Sequence, residues 1–226
     1  MEMNGFQICA LTRRVDSQIV EAFRALPVAN VSDCMSRMTA GGASLRPYHA
    51  KGVLAGPAFT VKTRPGDNLM IHKALHMAKP GDVIVVDAGG DVTNALIGEL
   101  MVATAVKNGI AGFVMNGAIR DVDAIGAGTF PVYAAGVTHR GPYKDGPGSI
   151  NVPISLNGMV INPGDLILGD ADGLLCVPID EAQALLEATR RKQDAEKVTI
   201  REIEEGTLDT KWIDATLTRL GVEVPA

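Results

Sequence analysis

Near the start of the chain apolar residues recur at helical spacing. Ile19, Val20, Phe23 and Leu26 fall on one face of SQIVEAFRAL. That period predicts an amphipathic helix over 17–26, capped by Asp16 and stopped by Pro27. A second short helix is expected in SDCMSRM (32–38), capped by Ser32 or Asn30, before Gly41-Gly42 marks a loop. From residue 52 the pattern changes to short apolar runs separated by turns. GVLAGPAFTVKT (52–63) reads as strand broken at Gly56-Pro57, and NLMIHKALHMA (68–78) as a helix capped by Asp67 or Asn68. DVIVVDA (82–88) is a continuous apolar run, the mark of a strand buried on both faces. The pattern then gives a helix over 96–108, a strand in GFVMNG (112–117), a short helix over 121–125 and a strand in PVYAAG (131–136).

Residues 137–149, rich in glycine and proline, are expected to form a loop. VPISLNGMVI, DLILGDA and GLLCVPI follow as hairpin or meander strands, with Asn157-Gly158 a strong turn signal. The last part reads as two helices: a long one capped by Asp180 and stopped by Gly206, and TKWIDATLTRL, ending at Gly221. PGDVIVVDAGG (80–90) is echoed by PGDLILGDADG (163–173). The echo reads as a shared device in which Pro-Gly sets a turn and the aspartate opens a strand. Asp170 and Asp172 read as turn formers. Strands alternating with short helices predict an α/β sheet.

At 226 residues, 46% of them hydrophobic, the chain can bury one sizeable core. A single domain over 1–226 is expected, with a core of about 25–178 and a helical extension of about 180–221. A net charge of -5 and the lack of a basic block argue against nucleic acid as a partner. The three cysteines, Cys9, Cys34 and Cys176, cannot all pair and form no CxxC, which suits a reducing compartment. The N-terminus is a poor signal peptide and no run is long enough to span a bilayer, so a cytoplasmic protein without a membrane partner is expected.

The richest chemistry lies in GELMVATAVKNGIAGFVMNGAIRD (98–121). A glycine-acid pair opens an apolar helix, a buried strand follows, and the strand empties into Arg120-Asp121. Open α/β sheets place ligands at such carboxyl ends. The arginine fork suits a carboxylate, and aspartate suits Mg2+, which takes oxygen ligands and keeps several waters. The bland alternative is a surface pair with Asp121 as a helix cap. Gly98, Glu99, Leu100 and Met101 stand at a helix start, where free N–H groups can hold an anion. Glu99 is a base, a partner of metal-bound water or a first-turn capping acid. Lys144, His139 and Arg140 lie in the glycine-rich loop. His72 and His76, four apart but without a zincin glutamate, read as helix packing.

On these residues the chain resembles the class II pyruvate aldolases that cleave 4-hydroxy-4-methyl-2-oxoglutarate and 4-carboxy-4-hydroxy-2-oxoadipate. These share a fold with the RraA-like proteins, named for a regulator of ribonuclease E activity. The family pattern is an acid, twenty residues and Arg-Asp, here Glu99 and Arg120-Asp121. The resemblance extends over about residues 25–178, including HKALHMAKPGDVIVVDAGG and GPYKDGPGSINVPISLNGMVINPGD. It implies an α/β/β swivelling-type fold, with N-terminal helices and a C-terminal helical extension. It also implies metal-dependent retro-aldol cleavage of a 4-hydroxy-2-oxo acid to pyruvate, with oxaloacetate decarboxylation as a side activity. By the same resemblance Asp121 holds Mg2+, Mn2+ or another divalent metal, Arg120 holds the substrate, and the amides of Gly98, Glu99, Leu100 and Met101 take the pyruvyl carboxylate. Lys144 matches a lysine near the active site, and Glu196 a glutamate that reaches a neighbouring subunit's metal water in a homotrimer or hexamer. The other reading is a non-catalytic RraA-like regulator that binds a ribonuclease. One position departs from the aldolases, which carry aspartate where this chain has Glu99. The extra methylene moves the carboxylate by about one carbon–carbon bond, on a scale where roughly 1 Å matters to catalysis.

Overall fold

The computed structural model describes residues 5–223. In chain order the elements are β1 (Phe6–Ile8), α1 (Ser17–Phe23), α2 (Val28–Cys34), β2 (Arg46–Pro47), β3 (Leu54–Thr63), α3 (Leu69–Met77), β4 (Val83–Asp87), β5 (Ala95–Ile97), α4 (Glu99–Lys107), β6 (Gly112–Ile119), α5 (Val122–Gly126), β7 (Val132–Val137), β8 (Gly148–Ile150), β9 (Ile154–Leu156), β10 (Met159–Ile161), β11 (Leu166–Asp170), β12 (Gly173–Val177), α6 (Ala182–Glu205) and α7 (Lys211–Arg219). The chain divides into two compact units, one running to Thr189 and the other from Arg190.

The first unit is built on a sheet of order β1-β8-β3-β4-β6-β7-β2, in which β3, β4, β6 and β7 run parallel. Alternation along β4 explains why its sequence is apolar throughout. Val83 and Val85 enter one core, with α1, α2 and β9 to β12; Ile84 and Val86 enter another, with α3 and α4. α3 and α4 therefore cover one face, and the strands β9 to β12 with α1 and α2 cover the other, giving the α/β/β arrangement.

Several expected boundaries shift. Gly56-Pro57 does not break β3. Its first half (54–57) pairs antiparallel with β11 and its second half with β4 and β8, so the proline falls where the partner changes. α2 begins at Val28, with Asn30 and Ser32 inside it. The amide of Val28 is capped from afar by the Asp170 carboxylate at 2.9 Å, so Asp170 is more than a turn former. Asp180 does not cap α6; it lies in a preceding 3-10 turn and pairs with Arg13. Residues 96–97 are strand, and the helix starts at Glu99. The expected loop 137–149 ends in β8, which pairs with β1 and β3.

The echo has the physical basis expected of it. In each copy the aspartate N–H closes a turn on the carbonyl three residues back, Asp82 on Lys79 and Asp165 on Asn162. Each carboxylate then accepts the backbone N–H of that same residue, at 2.8 and 2.9 Å. The intervening Gly81 and Gly164 stand at φ +89° and +91°, where a Cβ is strained.

The second unit comprises the remainder of α6 together with α7. None of its described side chains is buried, and Ile203, Trp212 and Leu220 are all more than half exposed. Gly206, at φ +68°, ends α6 as expected. No helix among the described residues is long and apolar enough to cross a membrane.

Candidate active site

β5 and β6 lie side by side and parallel, Ile97 opposite Ile119. Their carboxyl ends therefore bring Gly98 and Arg120 together, although twenty-one residues separate them in the chain. A cleft of about 380 Å³ opens there, lined by Gly98 to Met101, Arg120, Asp121 and Lys144, with Asn68, His72, 95–97 and Pro142. Most of the sequence-predicted site residues thus share one cavity. Glu196 lies on α6 in the second unit, paired with Lys192 at 3.1 Å. His139 lines an adjoining hollow of about 270 Å³ with Val137 and Thr138, and this hollow shares Arg120 and Asp121 with the cleft.

Asp121 holds the left-handed conformation, φ 57° and ψ 39°, and its side chain does not cap α5. Instead Oδ2 crosses to accept the Glu99 N–H at 3.0 Å. A non-glycine residue in that region costs of order 1 kcal/mol or more, a cost concentrated at functional sites. The Arg120 Nε lies 3.6 Å from the same oxygen, with both side chains more than a third exposed. Such a pair contributes little stability, so Arg120 is free to serve a ligand.

The first-turn amides of α4 divide. The N–H of Glu99 goes to Asp121, and that of Met101 to the Gly98 carbonyl at 3.1 Å. Among the described residues the N–H groups of Gly98 and Leu100 have no protein acceptor and remain for an anion. Gly98 admits this approach because it has no Cβ: one built there would stand 2.2 Å from Asp121 Oδ2 and 3.1 Å from Arg120 Cγ.

Asn68, expected as a candidate cap and standing just before α3, and His72, on α3 and assigned to helix packing, both line the cleft. Their signal was present as a polar pair at i, i+4 on a helix whose Ile71, Ala74 and Leu75 are core. Burial, then the charges of Lys144 and His76, lower the His72 pKa below its ordinary value, so the ring is neutral at pH 7. No cluster of three or more His, Cys, Asp or Glu side chains suited to a metal occurs among the described residues. The donor set of a single carboxylate at an open cleft still fits Mg2+, which commonly takes one or two carboxylates and completes its shell with water and substrate oxygens.

Taken together, the layers and the cleft define an α/β/β protein with a helix start and an Arg-Asp pair meeting at adjacent strand ends. A family model described as RraA-like, Aldolase/RraA, matches residues 28–176, and the chain belongs to that family. It is 40% identical over 195 residues, 86% of this chain and 93% of the relative, to a Halalkalibacterium halodurans protein named "Putative 4-hydroxy-4-methyl-2-oxoglutarate aldolase". Among solved structures it is similar to the RNA-processing inhibitor RraA from Thermus thermophilis, with a TM-score of 0.62 and 29% identity over 67% of this chain and 92% of that one. It also shares the fold of Streptomyces coelicolor RraAS2, described as an unusual member of the RNase ES inhibitor RraA family. That match has a TM-score of 0.74 and 24% identity over 84% of this chain and 100% of that one.

Proposed function

We propose that the protein is a divalent-metal-dependent aldolase that cleaves a 4-hydroxy-2-oxo di- or tricarboxylic acid and releases pyruvate. The observation that carries this reading is the meeting of Arg120, Asp121 and the free Gly98 and Leu100 amides in one cleft. The pyruvyl carboxylate lies against those amides at the positive end of α4. Arg120 donates to the 2-oxo oxygen and stabilises the enolate as the bond between carbons 3 and 4 breaks. The Glu99 carboxylate at the mouth of α4 takes the 4-hydroxyl proton, directly or through water. Asp121 holds the metal, Mg2+ or Mn2+, which supplies Lewis-acid stabilisation of the same developing charge. The leaving fragment occupies the adjoining hollow beside Thr138 and His139. Oxaloacetate decarboxylation passes through the same enolate and is the expected side activity.

The same reading gives a homotrimer, or a hexamer of two trimers, with Glu196 serving a neighbouring copy's site. The lack of any buried side chain among the described residues of the second unit supports a covering partner, since a nine-residue helix such as α7 is marginal in water without one. A monomer on sizing would remove Glu196 from the site.

The deciding experiment is pyruvate release from 4-hydroxy-4-methyl-2-oxoglutarate and from oxaloacetate, with Mg2+ and with chelator. Turnover should require the metal. It should vanish in Arg120→Ala and in Asp121→Asn, which keeps a residue tolerant of the left-handed backbone. Absence of metal-dependent turnover of any 2-oxo acid would leave the ribonuclease-regulator reading in its place.

A further inference from the structure

The loop 141–147 brings Pro142 and Lys144 to the cleft, and what holds it is a carboxylate outside the cleft lining. Asp67 is fully buried. Its Oδ1 accepts the Leu69 N–H at 2.9 Å, while Oδ2 accepts the N–H groups of Asp145 at 2.7 Å and Gly146 at 2.9 Å, and Arg64 Nη2 at 3.1 Å. On the other side of Lys144, the Tyr143 N–H donates to Gly66 O at 2.9 Å, and its carbonyl accepts the Asn68 N–H at 3.0 Å. The Arg64 guanidinium lies over the Tyr143 ring, 5.5 Å from its centre. Both neighbours of Lys144 are therefore tied to 66–68, the segment that leads into α3 and so into Asn68 and His72 on the cleft wall.

Capping α3 needs only the bond to Leu69. The two loop amides add nothing to that cap, and burying a carboxylate is costly unless its lone pairs are used. We propose that Asp67 is the positioning residue for Lys144: by gathering the Asp145 and Gly146 amides it sets the Lys144 ammonium at the cleft wall formed by Asn68 and His72. Its effect on turnover rests on the aldolase reading; its effect on geometry does not. Burial is the larger cause of the lowered His72 pKa; the Lys144 charge, acting in the same direction, is consistent with this placement.

An NMR titration of the His72 ring in the full chain provides the test. Lys144→Met should raise the His72 pKa. Asp67→Asn should raise it toward the same value, and the double variant should titrate like Lys144→Met alone. An unmoved His72 in Lys144→Met, or additive shifts in the double variant, would overturn the assignment. Should Asp67→Asn fail to fold, amide exchange in the wild-type chain decides. The Asp145 and Gly146 amides should be protected together with that of Leu69; fast exchange at 145 and 146 beside a slow Leu69 would refute the tether. In the aldolase assay Asp67→Asn should lower kcat/KM about 10- to 100-fold, with no further loss on adding Lys144→Met. A wild-type chain inactive on every 2-oxo acid would defeat the aldolase reading and leave the His72 titration to judge Asp67.

Discussion

At the scale of single residues the site depends on a side chain that is absent. The 2.2 Å between a Cβ at residue 98 and Asp121 Oδ2 means that Gly98→Ala must displace the carboxylate or the start of α4. The clash is with the site rather than the core, so the expected loss of fold stability is modest, about 1–3 kcal/mol. Metal-dependent turnover should fall by about 100-fold or more. Parallel urea melts and pyruvate-release assays measure both, and near-normal turnover would place the reacting atoms elsewhere. The sequence made Gly98, Glu99, Arg120 and Asp121 legible because their spacing and flanks form a pattern. It could not reveal that Asp121 adopts a left-handed backbone and answers to Glu99 rather than to its own helix, because that depends on β5 lying beside β6. Asn68, expected only as a candidate cap, and His72, expected only as packing, were missed as cleft residues for a related reason. A polar residue on an apolar helix declares itself only when the neighbouring loop is in place.

At the scale of elements, periodicity found the long pieces and local chemistry fixed several ends. Asp16 caps α1 as expected, its carboxylate accepting the Gln18 N–H at 2.7 Å. Long-range capping was invisible, as with Asp170 on α2, because a cap contributed from 142 positions away leaves no local signature. The short strands β1, β5 and β8 were hidden because three residues carry no measurable period, and β8 lies in a stretch of glycine and proline. The turn echo allows a quantitative comparison. Asp165 is buried and accepts from Asn162 N, Asn162 Nδ2 and Ile179 N. Asp165→Ala removes three hydrogen bonds to a buried carboxylate and should cost about 2–4 kcal/mol. Asp16→Ala at an exposed helix start should cost about 1 kcal/mol. Equal losses in chemical denaturation would show that the Asp165 turn is not the structural joint it is taken to be.

At the scale of the whole molecule, the layering was legible in the continuous apolar run of β4, since a strand buried on both faces requires covering layers. The change of β3 partners at Pro57 was not, because it is set by β11, more than a hundred residues away. Charge at this scale links stability to pH, and two groups act in the same direction. Burial alone would raise the Asp67 carboxyl. The amides of Leu69, Asp145 and Gly146 and the Arg64 cation outweigh it and hold the pKa below the ordinary 3.8. Its contribution is complete above 3.8 and is lost as pH falls through the folded value. His72 has a folded pKa below the ordinary 6.5. As pH falls through 6.5 the unfolded chain takes up a proton that the folded chain refuses, so stability declines until the folded value is reached. Unfolding free energy measured in urea should therefore begin to fall just below pH 7, well before any carboxylate titrates. One such proton allows a slope of at most about 1.4 kcal/mol per pH unit. His72→Gln should flatten that first decline and leave the later, carboxylate-driven loss in place. An unchanged slope between pH 7 and 5 in the variant would assign the decline to another group and remove His72 as a half-buried, neutral member of the cleft.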